Sequence, residues 1–241
     1  MIQNKDLRRK IIEKSHSCKL GHCGSALSCV DFINYLYKNV LRENDRFILS
    51  KGHGAMALYA VLEEQGKRVE WTMHPELNEE RGIYATTGSL GHGLPIAVGR
   101  AFAKKVKQDG GKVYVLIGDG ETAEGTIWEA LLIARNLNVD NLIVVVDYNK
   151  YGAIYPVEKT LSLNSNSLKA KLEAFGFNTL VIDGHNEEEL SKIKNLNVGL
   201  NAVIIETIKG KGIDFLEESH IHGFNFAYEE EKYKETIEKL K

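Results

Sequence analysis

The stretch VYVLIGDGETAEGTIWEALLIARNLNVDNLIVVVDYN, residues 113–149, decides the fold. It contains two continuous apolar runs rich in β-branched residues, at positions 113–117 and 142–146. Such runs are typical of parallel strands that are buried on both faces. Between them, the apolar residues of positions 127–134 recur at helical spacing. The stretch therefore predicts a strand, a helix and a second strand parallel to the first.

The same alternation of helices and strands extends outward from this unit. Short apolar runs predict further strands at residues 46–49, 180–182 and 202–205. Amphipathic patterns predict helices at residues 5–17, 27–41, 55–65, 96–106, 126–137 and 187–193, with a solvated helix at 228–241. We therefore predict an α/β fold with an open, mostly parallel sheet and helices on both faces. Residues 1–241 are expected to form a single domain, because no linker rich in Pro, Gly or Ser divides them.

Composition narrows the classes of partner. The 241 residues carry 31 Lys and Arg against 33 Asp and Glu, a formal charge of −2, which gives no general reason to expect nucleic acid or an anionic membrane surface. No apolar run approaches the ~20 residues needed to span a bilayer. The first residues enter a charged helical pattern without the apolar region of a signal peptide. A cytoplasmic location is therefore expected.

Three cysteines, Cys18, Cys23 and Cys29, lie close in sequence to His16 and His22. This grouping raises the question of a zinc site. The spacing argues against one, because no C-x-x-C is present and the mixed set matches no common zinc module. We predict instead that the cysteines are small buried hydrophobic residues.

Polar residues follow both central strands. Gly118-Asp119-Gly120 ends the first strand and Asp147-Tyr148-Asn149 ends the second, so their side chains are expected to converge at one edge of the sheet. A carboxylate, an amide oxygen and a backbone carbonyl just beyond Asn149 form an oxygen set suited to Mg²⁺ or Ca²⁺. Glycines at 118 and 120 let a diphosphate approach the backbone. The pattern predicts a metal-bridged diphosphate, although Gly-Asp-Gly alone would also fit a simple tight turn.

Motifs of other nucleotide-binding and hydrolytic folds are missing from the sequence. It contains no G-x-x-x-x-G-K-[ST], no G-x-G-x-x-G after the first strand and no G-x-S-x-G. The first two absences disfavour a P-loop enzyme and a dinucleotide-binding fold. The third disfavours a hydrolase with a serine elbow.

The thiamine-diphosphate motif of transketolases resembles GDGETAEG at residues 118–125, followed by WEA at 128–130 and DYNK at 147–150. Further motifs occur in the order expected of that family, at residues 21–22, 50–54, 74–76, 87–93, 207–212 and 222–223. The resemblance covers essentially the whole chain and ends where the family's N-terminal, diphosphate-binding domain ends. The chain is identified on this basis as similar to that domain of transketolases.

The resemblance implies an enzyme that transfers a two-carbon ketol unit from a ketose to an aldose, with thiamine diphosphate and Mg²⁺ or Ca²⁺ as cofactors. Substrates would be sugars or sugar phosphates. Because a full transketolase continues into further domains, the chain resembles the N-terminal subunit of a split transketolase. A separate C-terminal, pyrimidine-binding subunit would complete the active site, in an α2β2 heterotetramer.

The resemblance also assigns roles to individual residues. It implies that the metal ligands are Asp119, Asn149 and the carbonyl of Tyr151. It implies that the cofactor contacts are His53, Gly88, Leu90, Gly118, Gly120, Glu124, Asn149 and His222, with Glu124 also at the subunit contact. It implies that the catalytic residues around the thiazolium ring are His22, His53, His74 and His222. His92 stands where the family often has Gln, and its role is left open.

Several alternatives stay open on sequence alone. The chain resembles in part other thiamine-dependent enzymes, such as a deoxyxylulose-phosphate-synthase-like enzyme or one that acts on nucleotide-linked sugars. An oxo-acid dehydrogenase subunit is disfavoured by the histidine motifs. A non-catalytic paralogue that keeps the fold is a further alternative, against which the intact Asp119 and Asn149 speak. Lys209 and Lys211 fit either a phosphate contact or a solvated loop.

Overall fold

A five-stranded sheet forms the centre of the computed structural model, which describes residues 3–153 and 155–241. Its strands are β1 (Arg46–Leu49), β2 (Val113–Gly118), β3 (Leu142–Tyr148), β4 (Asn178–Asp183) and β5 (Asn201–Glu206). They are ordered β1-β2-β3-β5-β4, and every neighbouring pair is parallel. The predicted parallel sheet is confirmed, and the strand–helix–strand unit of the opening stretch forms its middle.

Helices surround the sheet. They are α1 (Lys5–Ser17), α2 (Cys23–Asn39), α3 (Ala55–Glu64), α4 (Gly93–Lys107), α5 (Gly125–Asn136), α6 (Val157–Leu161), α7 (Ser165–Ala174), α8 (Glu187–Ser191), α9 (Asp214–Ser219) and α10 (Glu230–Lys239). The predicted helix at 27–41 begins earlier, at Cys23, because the small residues there are fully buried and tertiary packing overrides their weak helix propensity. The helix predicted from residue 96 likewise begins at Gly93.

Two hydrophobic cores lie on opposite faces of the sheet. Along β3, Ile143 and Val145 face a core built with α1, α2 and α3, whereas Val144 and Val146 face a core built with α4, α5 and α7. Both faces of the strand are therefore buried, which explains its unbroken apolar sequence. The prediction of helices on both faces is confirmed. No helix within residues 3–153 and 155–241 is long and apolar enough to cross a membrane.

The cysteines follow the prediction in part. Cys23 and Cys29 are fully buried, and burial raises the pKa of each thiol to about 12. Cys18 is exposed, which contradicts its predicted burial, because it lies at the end of α1 where the chain turns outward. Among the described residues, no group of three His, Cys, Asp or Glu side chains is arranged to hold a metal.

The strand register brings several loops together at one edge of the sheet. Gly118 at the end of β2 is paired with Asp147 near the end of β3, and Tyr148 is paired with Glu206 at the end of β5. On the other side, Leu49 at the end of β1 is paired with Leu116. The segments that leave β1, β2, β3 and β5 therefore emerge side by side, at the carboxyl edge where parallel sheets bind ligands.

Candidate active site

A cavity opens at this carboxyl edge. It is lined by His22, His53, His74, Gly88, Leu90, Gly118, Asp119, Gly120, Glu121, Asn149, Tyr151, Gly152, Ala153 and His222. Every predicted site residue except Glu124 lies in this lining. Residues from six separate motifs of the sequence therefore meet at one place, and their individual roles stay predictions.

Four partly buried histidines form a cluster in the cavity. The ring centroid of His222 lies 4.7 Å from that of His22 and 5.1 Å from that of His53. The ring of His22 lies 6.0 Å from those of His53 and His74. His22 directly precedes α2, and its Nδ1 donates to the carbonyl oxygen of His222 at 3.2 Å. In the neutral ring, Nε2 of His22 is then the nitrogen able to accept a proton.

The surroundings keep these imidazoles neutral. Burial lowers the pKa of His22, and burial together with the nearby Lys51 holds that of His53 well below its usual value. Burial and the charge of Lys209 lower the pKa of His222 to about 4. Near neutral pH the cluster can therefore both donate and accept hydrogen bonds.

We expect the free energy of unfolding to fall as the pH drops from about 6.5 toward about 4. The unfolded chain takes up a proton at His222 over this range, whereas the folded chain does not, so protonation favours the unfolded state. Urea denaturation of wild type and His222→Gln at pH 7 and pH 5 would measure this, and the variant should lose less stability. His92→Gln, which removes an exposed imidazole outside the cavity, serves as control. An equal pH dependence in wild type and His222→Gln would contradict the prediction.

Asp119 and Asn149 present oxygen atoms from neighbouring loops. The two carboxylate oxygens of Asp119 accept backbone N–H bonds from Gly120 and Lys150, each at 2.7 Å. The bond from Lys150 joins the end of β2 directly to the loop that carries Asn149 and Tyr151. The side-chain oxygen of Asn149 accepts from the N–H of Tyr151 at 3.1 Å. The convergence expected from the strand ends is thus present in the geometry.

The electrostatics of Asp119 suit a bound cation. The residue is 1% exposed, and burial together with the negative charge of Asp147 raises its pKa to about 7. A buried carboxylate of this kind gains from a nearby positive charge. The donor set of carboxylate, amide and carbonyl oxygens is the type that Mg²⁺ and Ca²⁺ prefer. The residues present therefore fit a hard divalent cation.

Close approach of two loops shapes the cavity wall. A side chain at Gly52 would bring its Cβ to 2.7 Å from the backbone nitrogen of Gly88, so only glycine fits there. Gly88 in turn lies against the ring of His74. The loop that holds Gly88 and Leu90 is thereby fixed between the loops of His53 and His74.

Glu121 is a site residue that the sequence reasoning missed. Its buried carboxylate accepts from the N–H groups of Gly118 at 2.8 Å and Gly91 at 3.0 Å, and from the hydroxyl of Ser50 at 2.7 Å. One side chain therefore joins the ends of β1 and β2 to the loop before α4. The glycine-rich motif around it drew attention to the diphosphate, and only the folded loops reveal this joining role.

Lys209 and His220 were also left unassigned by the sequence. Lys209 is 2% exposed and its Nζ donates to the carbonyl oxygen of Gly152 at 3.0 Å, so the solvated-loop interpretation is wrong for this lysine. Burial and the charge of Lys51 lower the pKa of Lys209 to about 8. The ring of His220 stacks on that of Tyr151 at 3.9 Å. A lysine and a further histidine thus flank the loop with the predicted carbonyl ligand.

Two predicted or uncertain residues lie away from the cavity lining. Glu124 is exposed between the end of β2 and α5, so its position fits a surface contact better than a direct contact within the cavity. His92 is exposed immediately before α4. The predicted role of Glu124 at a subunit contact stays a prediction.

An all-parallel sheet with glycines and an oxygen donor set at its carboxyl edge defines a cofactor-binding α/β domain. More specifically, the chain belongs to the family described as "Transketolase, thiamine diphosphate binding domain", whose profile matches residues 4–238. The predicted family is confirmed.

Individual relatives extend this result. The chain is 34% identical to one of the subunits of the apulose-4-phosphate transketolase of Phocaeicola vulgatus over 270 residues, which cover 99% of this chain and 95% of the relative. It is also 34% identical to the SqwG subunit of the 6-deoxy-6-sulfo-D-fructose transketolase of Clostridium sp. (strain MSTE9), over 97% and 93% of the two chains. These matches confirm the prediction that the chain corresponds to the N-terminal subunit of a split transketolase-like transferase.

A solved structure agrees in fold. The transketolase from Leishmania mexicana superposes with a TM-score of 0.78 at 26% identity, covering 98% of this chain. This chain spans 40% of the length of that transketolase. It therefore corresponds to one part of the longer enzyme.

Proposed function

We propose that this chain is the cofactor-binding subunit of a transketolase that moves a two-carbon ketol unit from a ketose or ketose phosphate to an aldose. The observation that carries the proposal is the meeting of Asp119 and Asn149 with four histidines in one cavity. The similarity to subunits named as parts of transketolases, over nearly their whole length, supports it. A separate C-terminal subunit would complete the site in a cytoplasmic α2β2 assembly.

The residues of the cavity are suited to thiamine diphosphate with Mg²⁺. Asp119, Asn149 and the carbonyl oxygen of Tyr151 would hold the metal, with Ca²⁺ as an alternative ion. Gly118 and Gly120 leave the backbone open for the diphosphate. The remaining proposed cofactor contacts are His53, Gly88, Leu90, Glu124 and His222. When bound, thiamine diphosphate supplies the electron sink that allows a carbon–carbon bond of the ketose to break.

The histidine cluster would handle the sugar. Because its imidazoles are neutral, they can donate hydrogen bonds to the carbonyl oxygen of a ketose and accept them from its hydroxyl groups. His22 and His222 lie closest to each other and could pass a proton to an oxygen on which negative charge develops. His53 and His74 would orient the substrate on either side. Together these residues would supply orientation and proton transfer beside the cofactor.

The test is reconstitution of the enzyme. We expect the purified chain to show no ketol transfer alone, and to show transfer when the C-terminal subunit, thiamine diphosphate and Mg²⁺ are all added, because the partner carries the remaining part of each site. Calorimetric titration of thiamine diphosphate with Mg²⁺ into the chain, with and without that subunit, measures binding independently of activity. Omission of Mg²⁺ is the control. Transfer by the chain alone would refute the shared site, and absence of binding in both states would refute the catalytic proposal.

A further inference from the structure

A buried ion pair lies behind the cavity. Lys51 and Asp147 are each 0% exposed in their side chains and form a salt bridge. Lys51 also donates to the carbonyl oxygen of Ser25 at 3.2 Å. Asp147 accepts from the hydroxyl of Ser28 at 2.6 Å and from the hydroxyl of Thr207. We call Lys51, Asp147 and Thr207 the hub; these three residues lie outside the lining of the cavity.

The hub connects the ends of three strands. Lys51 follows β1, Asp147 lies near the end of β3, and Thr207 follows β5. Each hub residue stands two positions before a residue of the cavity or of its wall. The pairs are Lys51 and His53, Asp147 and Asn149, and Thr207 and Lys209. A shift at the hub would therefore move a histidine, a proposed metal ligand and a buried lysine together.

The physical properties of the hub favour a fixed geometry. Burial disfavours both charges, yet their mutual attraction raises the pKa of Lys51 and lowers that of Asp147, so both stay ionised. Hydrogen bonds to ionised groups are short and directional, and they are strengthened where water is excluded. The bond from Thr207 is such a bond, and it links the loop of Lys209 to Asp147 across β5 and β3. The hub can thus hold three loops in one arrangement.

We propose that Lys51, Asp147 and Thr207 are positioning residues that set the relative placement of His53, Asn149 and Lys209. The proposal rests on the proposed function, because it concerns the same cavity. Since binding groups must be placed within a fraction of an ångström, loss of one hub bond should weaken cofactor binding without removal of any cofactor contact.

Thr207→Val tests the proposal, because it keeps the shape of the side chain and removes only the hydroxyl. We expect it to weaken binding of thiamine diphosphate with Mg²⁺ about tenfold, as for loss of a hydrogen bond to a charged group. Thr207→Ser keeps the hydroxyl and should restore wild-type affinity. Thr236→Val is the matched control, since Thr236 is equally buried but lies on α10. Its affinity should equal that of wild type.

A second readout separates positioning from stability and from the proposed function. In the unliganded, isotope-labelled chain, Thr207→Val should shift the backbone amide resonances of His53 and Asn149, and Thr236→Val should not. Lowered thermal stability with unchanged affinity and unshifted amides would overturn the positioning role. If the wild-type chain with its C-terminal subunit does not bind the cofactor, the proposed function fails, and the amide shifts still decide the role of the hub.

Discussion

Asp119→Asn should weaken Mg²⁺-dependent binding of thiamine diphosphate by more than about a hundredfold, since loss of an outer-shell partner alone costs a metal site 10–100-fold. The substitution keeps the size of the side chain but removes the only carboxylate among the three proposed oxygen ligands. It also removes the charge that a divalent cation would offset at this buried position. Calorimetric titration of the cofactor at saturating Mg²⁺, in the presence of the C-terminal subunit, measures the change.

Asp45→Asn provides a matched control. Asp45 is also buried and also accepts two backbone N–H bonds, from Arg42 at 3.0 Å and from Lys112 at 2.6 Å. It lies before β1, at the opposite edge of the sheet from the cavity. Cofactor affinity should therefore be unchanged in this variant. Wild-type affinity in Asp119→Asn would remove the metal site from the proposal, and equal losses in both variants would indicate damage to the fold.

Local sequence pattern predicts much of the fold because the central strands are buried on both faces. The runs at 113–117 and 142–146 have no polar interruption, so they can only be interior strands of a parallel sheet. The short helices α6, α7 and α9 escaped prediction. They span ten residues or fewer, over which apolar periodicity is weak. Asn164 and Ser167, which exchange capping bonds at the start of α7, were the available signal.

The candidate site divides in the same way. Asp119 and Asn149 could be placed together because strand ends converge in any parallel sheet. The partnership of Lys51 and Asp147 could not, because the two residues are 96 positions apart and no local pattern states which buried charges meet. Burial of Lys209 also depends on how the loop after β5 folds against Gly152. Local pattern therefore indicates which groups carry the chemistry, whereas the groups that hold them in place emerge from tertiary contacts.

Lys51→Met should lower the free energy of unfolding by about 3–5 kcal/mol, because it leaves the carboxylate of Asp147 buried without its cation. For a chain of this length the melting temperature should fall on the order of 10 °C. Chemical denaturation of the unliganded chain measures the effect. Lys239→Met removes a pair of the same type, at 2.9 Å from Asp214, whose side chains are 70% and 75% exposed. That control should cost less than about 1 kcal/mol.

Adding Asp147→Asn to Lys51→Met should recover part of the lost stability, because no unpaired charge then stays buried. The amide can still accept the hydroxyl of Thr207, but the charge that fixes the bond is gone. If stability returns while cofactor affinity stays low, the ion pair is maintained for the placement of the cavity loops rather than for folding. If Lys51→Met is as mild as Lys239→Met, the pair contributes little to either, and the strand ends are held by backbone packing alone.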